Sequence, residues 1–101
     1  AAYDAVWASF SLLHAPRAEM PANLARIHLA IRPGGRFYMG LKLGVGEARD
    51  AARRFYAYFS EEELRQMLAE AGFSVVTAEP DSMVGLLGSP EPCIHITSAR
   101  D

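Results

Sequence analysis

The 101-residue sequence predicts an α/β domain built on a mainly parallel sheet. Three observations carry this. Short apolar, aromatic runs alternate with amphipathic helical stretches, the pattern of strand–helix–strand units joined by right-handed crossovers. Proline and glycine punctuate the changes of period, at Pro16, Pro21, Pro33-Gly34-Gly35 and Gly72. Half of the residues are hydrophobic and 22% are charged, the composition of a folded core and not of a disordered tail.

The elements follow in order. Tyr3 to Ser9 is short, apolar and aromatic and closes in a polar turn, as a buried strand does. Pro16 and Pro21 prevent a continuous helix before Pro21, which itself suits a first helical position. Leu24, Ile27 and Ile31 then share one helical stripe, and Arg32-Pro33-Gly34-Gly35 stops it. Residues 36–43 form a second strand, with Phe37, Met39, Leu41 and Leu43 on one face and Tyr38, Gly40 and Lys42 on the other. Residues 44–54 read as a polar loop, and residues 55–59 are densely aromatic. Ser60 opens the clearest helix, with Glu63 three residues on completing a capping box. Leu64, Met67, Leu68 and Ala71 are its buried stripe and Gly72 its left-handed stop. Residues 73–78 are a third strand, expected to end by Glu79 because Pro80 has no N–H for a ladder. Residues 80–92 read as an excursion and 93–98 alternate as a last strand, joined without a helix and therefore antiparallel.

Two crossovers stepping the same way across a sheet place both helices on one face. The other face and the free edge of the first strand are then left uncovered, which strands apolar on both sides tolerate badly. A preceding half-domain or a second copy of the chain is expected to cover them. The net charge of −2 offers no basic face for nucleic acid. The lone Cys93 excludes an internal disulfide and points to a reducing, cytoplasmic setting. Apolar runs fall far short of the roughly 18 residues of a membrane span. The start, Ala1-Ala2-Tyr3-Asp4, has neither an initiator Met nor a signal sequence, so the chain reads as a piece of something longer.

Four segments together resemble the C-terminal half of a class I S-adenosylmethionine-dependent methyltransferase. Residues 3–14 are similar to that fold's fourth strand and following loop, and residues 31–37 to its proline-glycine-glycine turn into the fifth strand. Residues 58–64 with 68–73 are similar to a helix and turn common in the family, and Ile94-His95-Ile96 to its antiparallel seventh strand. The resemblance implies a Rossmann-like half-sheet of three parallel strands plus one antiparallel strand, helices mainly on one face, in a single partial domain over residues 1–101. The family's glycine-rich cofactor loop and acidic ribose ligand lie upstream of these residues. Gly40, Gly44 and Gly46 do not form that loop, since no G-x-G-x-x-G follows the strand.

The resemblance implies S-adenosylmethionine as cofactor in the complete protein and a small-molecule substrate. It sets the backbone of Ala8 and Ser9 beside the methionine portion of the cofactor and Phe10 near the reacting centre. Ser9 serving its own turn and Phe10 packing in a core stand as the plainer readings of the same residues. His14, beyond the strand, is a candidate general base with a structural role as its rival. Lys42, Arg49, Tyr56 and Tyr58, with Arg53 and Arg54, are candidates to bind an anionic substrate, or else a solvated loop whose charges pair among themselves. No metal set is expected: His28 and His95 read as structural and Cys93 as a small core residue. A non-catalytic interaction module, dimerising through its open sheet edge, is the alternative function.

Overall fold

The computed structural model describes residues 3–49, 55–84, 88 and 90–101. Strand β1 (Tyr3–Ser9) leads through two short 3-10 turns, Leu12–His14 and Arg17–Glu19, into helix α1 (Met20–Ala30). Strand β2 (Ile31–Lys42), a ribbon of β3 (Glu47–Arg49) and β4 (Phe55–Ala57), helix α2 (Glu61–Glu70), β5 (Phe73–Val84) and β6 (Pro90–Arg100) follow. The main sheet has the order β1-β2-β6-β5, with β1 parallel to β2 and β6 antiparallel to both of its neighbours. β1, β2 and β5 therefore run one way and β6 the other, as the sequence predicts. The expected loop after β2 departs from that reading, because β3 and β4 pair as a separate antiparallel ribbon.

The helices start and stop for local reasons. α1 begins at Met20, one residue before the predicted start, with Pro21 inside its first turn, where no helical N–H partner is needed. α2 carries the expected capping box. The Glu63 N–H donates to Ser60 Oγ (3.1 Å) and the Ser60 N–H to Glu63 Oε1 (3.0 Å). Such a cap stabilises a helix by about 1 kcal/mol. Gly72, at φ +94°, turns the chain out of α2 into β5.

β2 is bonded from Ile31 onward, earlier than the predicted residue 36. Its pairing with β1 jumps from Tyr3↔Ile31 to Ala5↔Arg36, so the proline-glycine-glycine turn sits in the sheet as a bulge. Gly35 is required there, since a Cβ would lie 2.8 Å from the Asp4 carbonyl. β5 also overruns its predicted end: it continues through Pro80, which stands opposite Ile94, to Val84. Among the described strands β5 is an edge, where a missing N–H need not break a ladder. β6 extends correspondingly beyond the predicted 93–98.

Phe37, Met39 and Leu41 of β2 face the same side as Ile94 and Ile96 of β6, and all five are fully buried. Met20 and Leu24 of α1 and Leu64 and Leu68 of α2 close over them, so both helices cover one face. Burial of each such side chain stabilises the fold by about 1.5–3 kcal/mol. The opposite face carries Trp7 and Tyr38, neighbours across β1 and β2. Trp7 is 74% exposed and Tyr3 60%, so the edge at β1 and the second face are open as predicted. No helix among the described residues is long and apolar enough to cross a membrane.

Candidate active site

In open α/β sheets ligands gather at the carboxyl ends of the parallel strands. Here that edge begins at Ser9, where β1 ends with an exposed polar side chain beside the buried Ala8. Phe10 follows at φ 54°, a left-handed conformation that disfavours a side chain by about 1–2 kcal/mol. Its N–H donates to the Gly40 carbonyl at 2.9 Å, which holds the turn against the end of β2. The ring of Phe10 lies directly over Gly40, where an added Cβ would meet it at 2.9 Å. Gly40 is therefore the space that lets this ring lie flat across the strand end. The ring also meets His95 edge-on, with centroids 5.9 Å apart.

A second group of side chains assembles beside it. His14 Nδ1 lies 2.9 Å from the Phe55 carbonyl, an acceptor only, so Nδ1 carries a proton and donates it there. The His14 ring is 4.9 Å from that of Tyr56, and Tyr56 stacks at 6.3 Å with Tyr58. The Lys42 ammonium sits 4.0 Å over the Tyr56 ring and 2.8 Å from Glu91 Oε2. Burial works against its charge. The hydrogen bond to Glu91 and the coulombic pull of Tyr56, Glu91 and Tyr58 outweigh that and hold its pKa above the ordinary lysine value. The fold thus brings His14, Lys42, Tyr56 and Tyr58 together, and the Lys42 charge is already matched by Glu91. Arg49 lies exposed on β3 with its guanidinium carbon 5.8 Å from the Phe55 ring centroid. Arg53 and Arg54 lie outside the described residues.

Arg17 is a positioning residue that spacing along the chain does not reveal. Its backbone N–H donates to Glu47 at 2.8 Å, and its guanidinium donates to the Tyr58 carbonyl and to Glu63. The guanidinium also lies 4.5 Å over the Phe59 ring. One side chain thus ties the loop after β1, the ribbon and the start of α2 into one wall.

On the uncovered face a row of polar groups runs inward from β1. Trp7 stacks on Tyr38 at 3.9 Å, and Tyr38 Oη lies 2.6 Å from His95 Nδ1. His95 Nε2 is 3.3 Å from Asp81 Oδ2, whose other oxygen accepts the Ser82 N–H at 2.8 Å. Cys93 completes the group, with the three ligand atoms of Asp81, Cys93 and His95 within 4.8 Å of one another. The Ser82 N–H first, and His95 second, hold the Asp81 carboxyl below the usual range, while burial and then the Asp81 charge push the Cys93 thiol up. Asp81 reaches this place only because β5 runs past Pro80, which puts Asp81 opposite Cys93. No spacing in the sequence signals that pairing.

No protein-family model matches the chain, and no curated protein matches it. Solved structures do. A S-adenosylmethionine-dependent methyltransferase from Methanosarcina mazei superposes with a TM-score of 0.85 at 15% identity, over 98% of this chain and 59% of that one. The 1,6-didemethyltoxoflavin-N1-methyltransferase of Burkholderia thailandensis, solved with 1,6-didemethyltoxoflavin and S-adenosylhomocysteine bound, gives 0.73 at 26% identity, over 97% and 44%. The 4+2 cyclase SpnF gives 0.71 at 19% identity, over 98% and 50%. The chain thus spans about half the length of the structures it resembles. It has the fold of the C-terminal half of a S-adenosylmethionine-dependent methyltransferase.

Proposed function

We propose that the chain is the substrate-side half of a S-adenosylmethionine-dependent methyltransferase acting on a small molecule. The observation that carries this reading is the end of β1, where a left-handed Phe10 is pinned to Gly40 at the carboxyl edge of a half-sheet of methyltransferase fold. When bound, the cofactor supplies an electrophilic methyl group on a cationic sulfur. The residues at this edge suit such a group: Ser9 is uncharged and exposed, and an aromatic face such as that of Phe10 attracts cations. Ala8 and Ser9 would flank the methionine portion through their backbone. Lys42, with its charge matched by Glu91, adds little repulsion toward a sulfonium.

Tyr56, Tyr58, Lys42 and Arg49 form the substrate side of this reading. His14, with Nδ1–H fixed on the Phe55 carbonyl, presents Nε2 to take a proton from the acceptor atom. Alignment and exclusion of water are the chain's main contributions to an in-line methyl transfer. An unpaired Cys93 accords with a reducing cytoplasm. The test is calorimetric titration of the full-length protein with S-adenosylmethionine. Saturable binding is expected, with His14→Ala lowering methyl transfer while leaving cofactor affinity intact. A full-length protein that dimerises yet takes up no cofactor would overturn the proposal in favour of an interaction module.

A further inference from the structure

We infer that Asp81, Cys93 and His95 form a binding site for one divalent transition-metal ion of the zinc class. This stands apart from methyl transfer and uses residues outside the proposed cofactor and substrate contacts. A thiolate, an imidazole and a carboxylate are a donor set that suits zinc and its neighbours and not calcium or magnesium. Three protein ligands also leave a fourth tetrahedral position for water or a ligand oxygen.

The geometry fits. At zinc bond lengths of about 2.0–2.3 Å, a tetrahedral ion holds its nitrogen and oxygen ligands about 3.4 Å apart and sulfur about 3.6 Å from either. His95 Nε2 and Asp81 Oδ2 already lie 3.3 Å apart, and no pair of the three ligand atoms exceeds 4.8 Å. Movement of the Cys93 sulfur or the Asp81 carboxylate by about 1.2 Å or less closes the set. Cys93 and His95 alternate on one face of β6 and Asp81 stands beside them on β5, so all three sit on strands that fix their backbones.

Two of the ligands are also oriented from behind. Tyr38 Oη meets His95 Nδ1 at 2.6 Å, and the Ser82 N–H holds Asp81 Oδ1, which turns Oδ2 toward the imidazole. Outer partners of this kind set the tautomer and direction of metal ligands. For His95 to bind a metal through Nε2, the ring proton sits on Nδ1 and is donated to Tyr38 Oη. Within this chain Asp81 is exposed and Cys93 buried, so the sulfur lies beneath the other two ligands.

The test uses tag-free, chelator-stripped full-length protein titrated with Co²⁺ and then competed with Zn²⁺. The expected result is one ion per chain, a sulfur-to-cobalt charge-transfer band, and displacement of that band by Zn²⁺. Cys93→Ser should abolish the band, and Asp81→Asn, which keeps the side chain's shape, should weaken Zn²⁺ binding at least about tenfold. Tyr38→Phe, a positioning change, should weaken it about 10–100-fold while leaving the band in place at saturation. Absence of stoichiometric uptake, or a charge-transfer band unchanged in Cys93→Ser, would refute the site.

Discussion

Replacing Gly40 with alanine puts a methyl group where two rings already lie. The new Cβ would stand 2.8 Å from Tyr38 Oη and 2.9 Å from Phe10 Cε2, against an ordinary contact of 3.4 Å or more. Each ring must recede by about 0.5–0.6 Å. Neither moves freely. Tyr38 Oη is held by His95 at 2.6 Å and stacked under Trp7, and the Phe10 backbone is pinned to Gly40 itself. Overpacking of this kind costs about 1–3 kcal/mol. Taking about 2 kcal/mol and a urea slope of about 1.5 kcal/mol/M, the unfolding midpoint falls by about 1.3 M. Tyr38→Phe removes one of the two obstacles, so the double variant should be more stable than the sum of the single costs by at least about 0.5 kcal/mol. Urea unfolding of the four proteins in the cycle measures this. A Gly40→Ala variant within about 0.5 kcal/mol of the parent, or strictly additive costs, would refute the packing assigned to this turn.

Glu63 gives the fold an acid-sensitive component. The Ser60 N–H first, and Arg17 second, lower its pKa below the ordinary carboxylate value, so the folded state binds its proton less readily than the unfolded chain. Its contribution is therefore complete above the ordinary value of 4.5 and is lost as pH falls through the lower folded value. Unfolding measured from neutral pH into the acid range should show this fall, and Glu63→Gln should flatten it; an unchanged slope would count against the cap. Ser98 has the opposite sign. Its side chain is fully buried in the helix-covered core, and Oγ has no hydrogen-bond partner among the described residues. Ser98→Ala should be neutral or stabilising by up to about 1 kcal/mol in thermal melts, and a clear loss would mean that the hydroxyl is satisfied.

What sequence revealed and what it hid follow a single physical division. The α2 cap, the Gly72 stop, the opening strand and the reversed last strand are all set by local chemistry or by connection length, and each was legible. The run of β5 past Pro80 was not, because whether a proline breaks a strand depends on which side of it is paired, a tertiary fact. The β3–β4 ribbon hid for a similar reason: its pairs, such as Glu47↔Ala57 and Arg49↔Phe55, set polar against apolar residues with no shared alternation. In the candidate site, His14, Lys42, Tyr56 and Tyr58 could be nominated by type and do converge. Arg17 could not, since its partners Glu47, Tyr58 and Glu63 are joined to it only by the fold, nor could Asp81, which meets Cys93 and His95 only because β5 runs past Pro80.

The strand order has a further consequence for how the molecule is made. β6 follows every other described strand along the chain, yet it is the one that bridges β2 and β5. Without residues 90–100, β2 keeps an unpaired edge and β5 has no partner among the described strands. The late-arriving strand thus works as a keystone, and the interval before it docks is when the nascent chain is most open to mispairing.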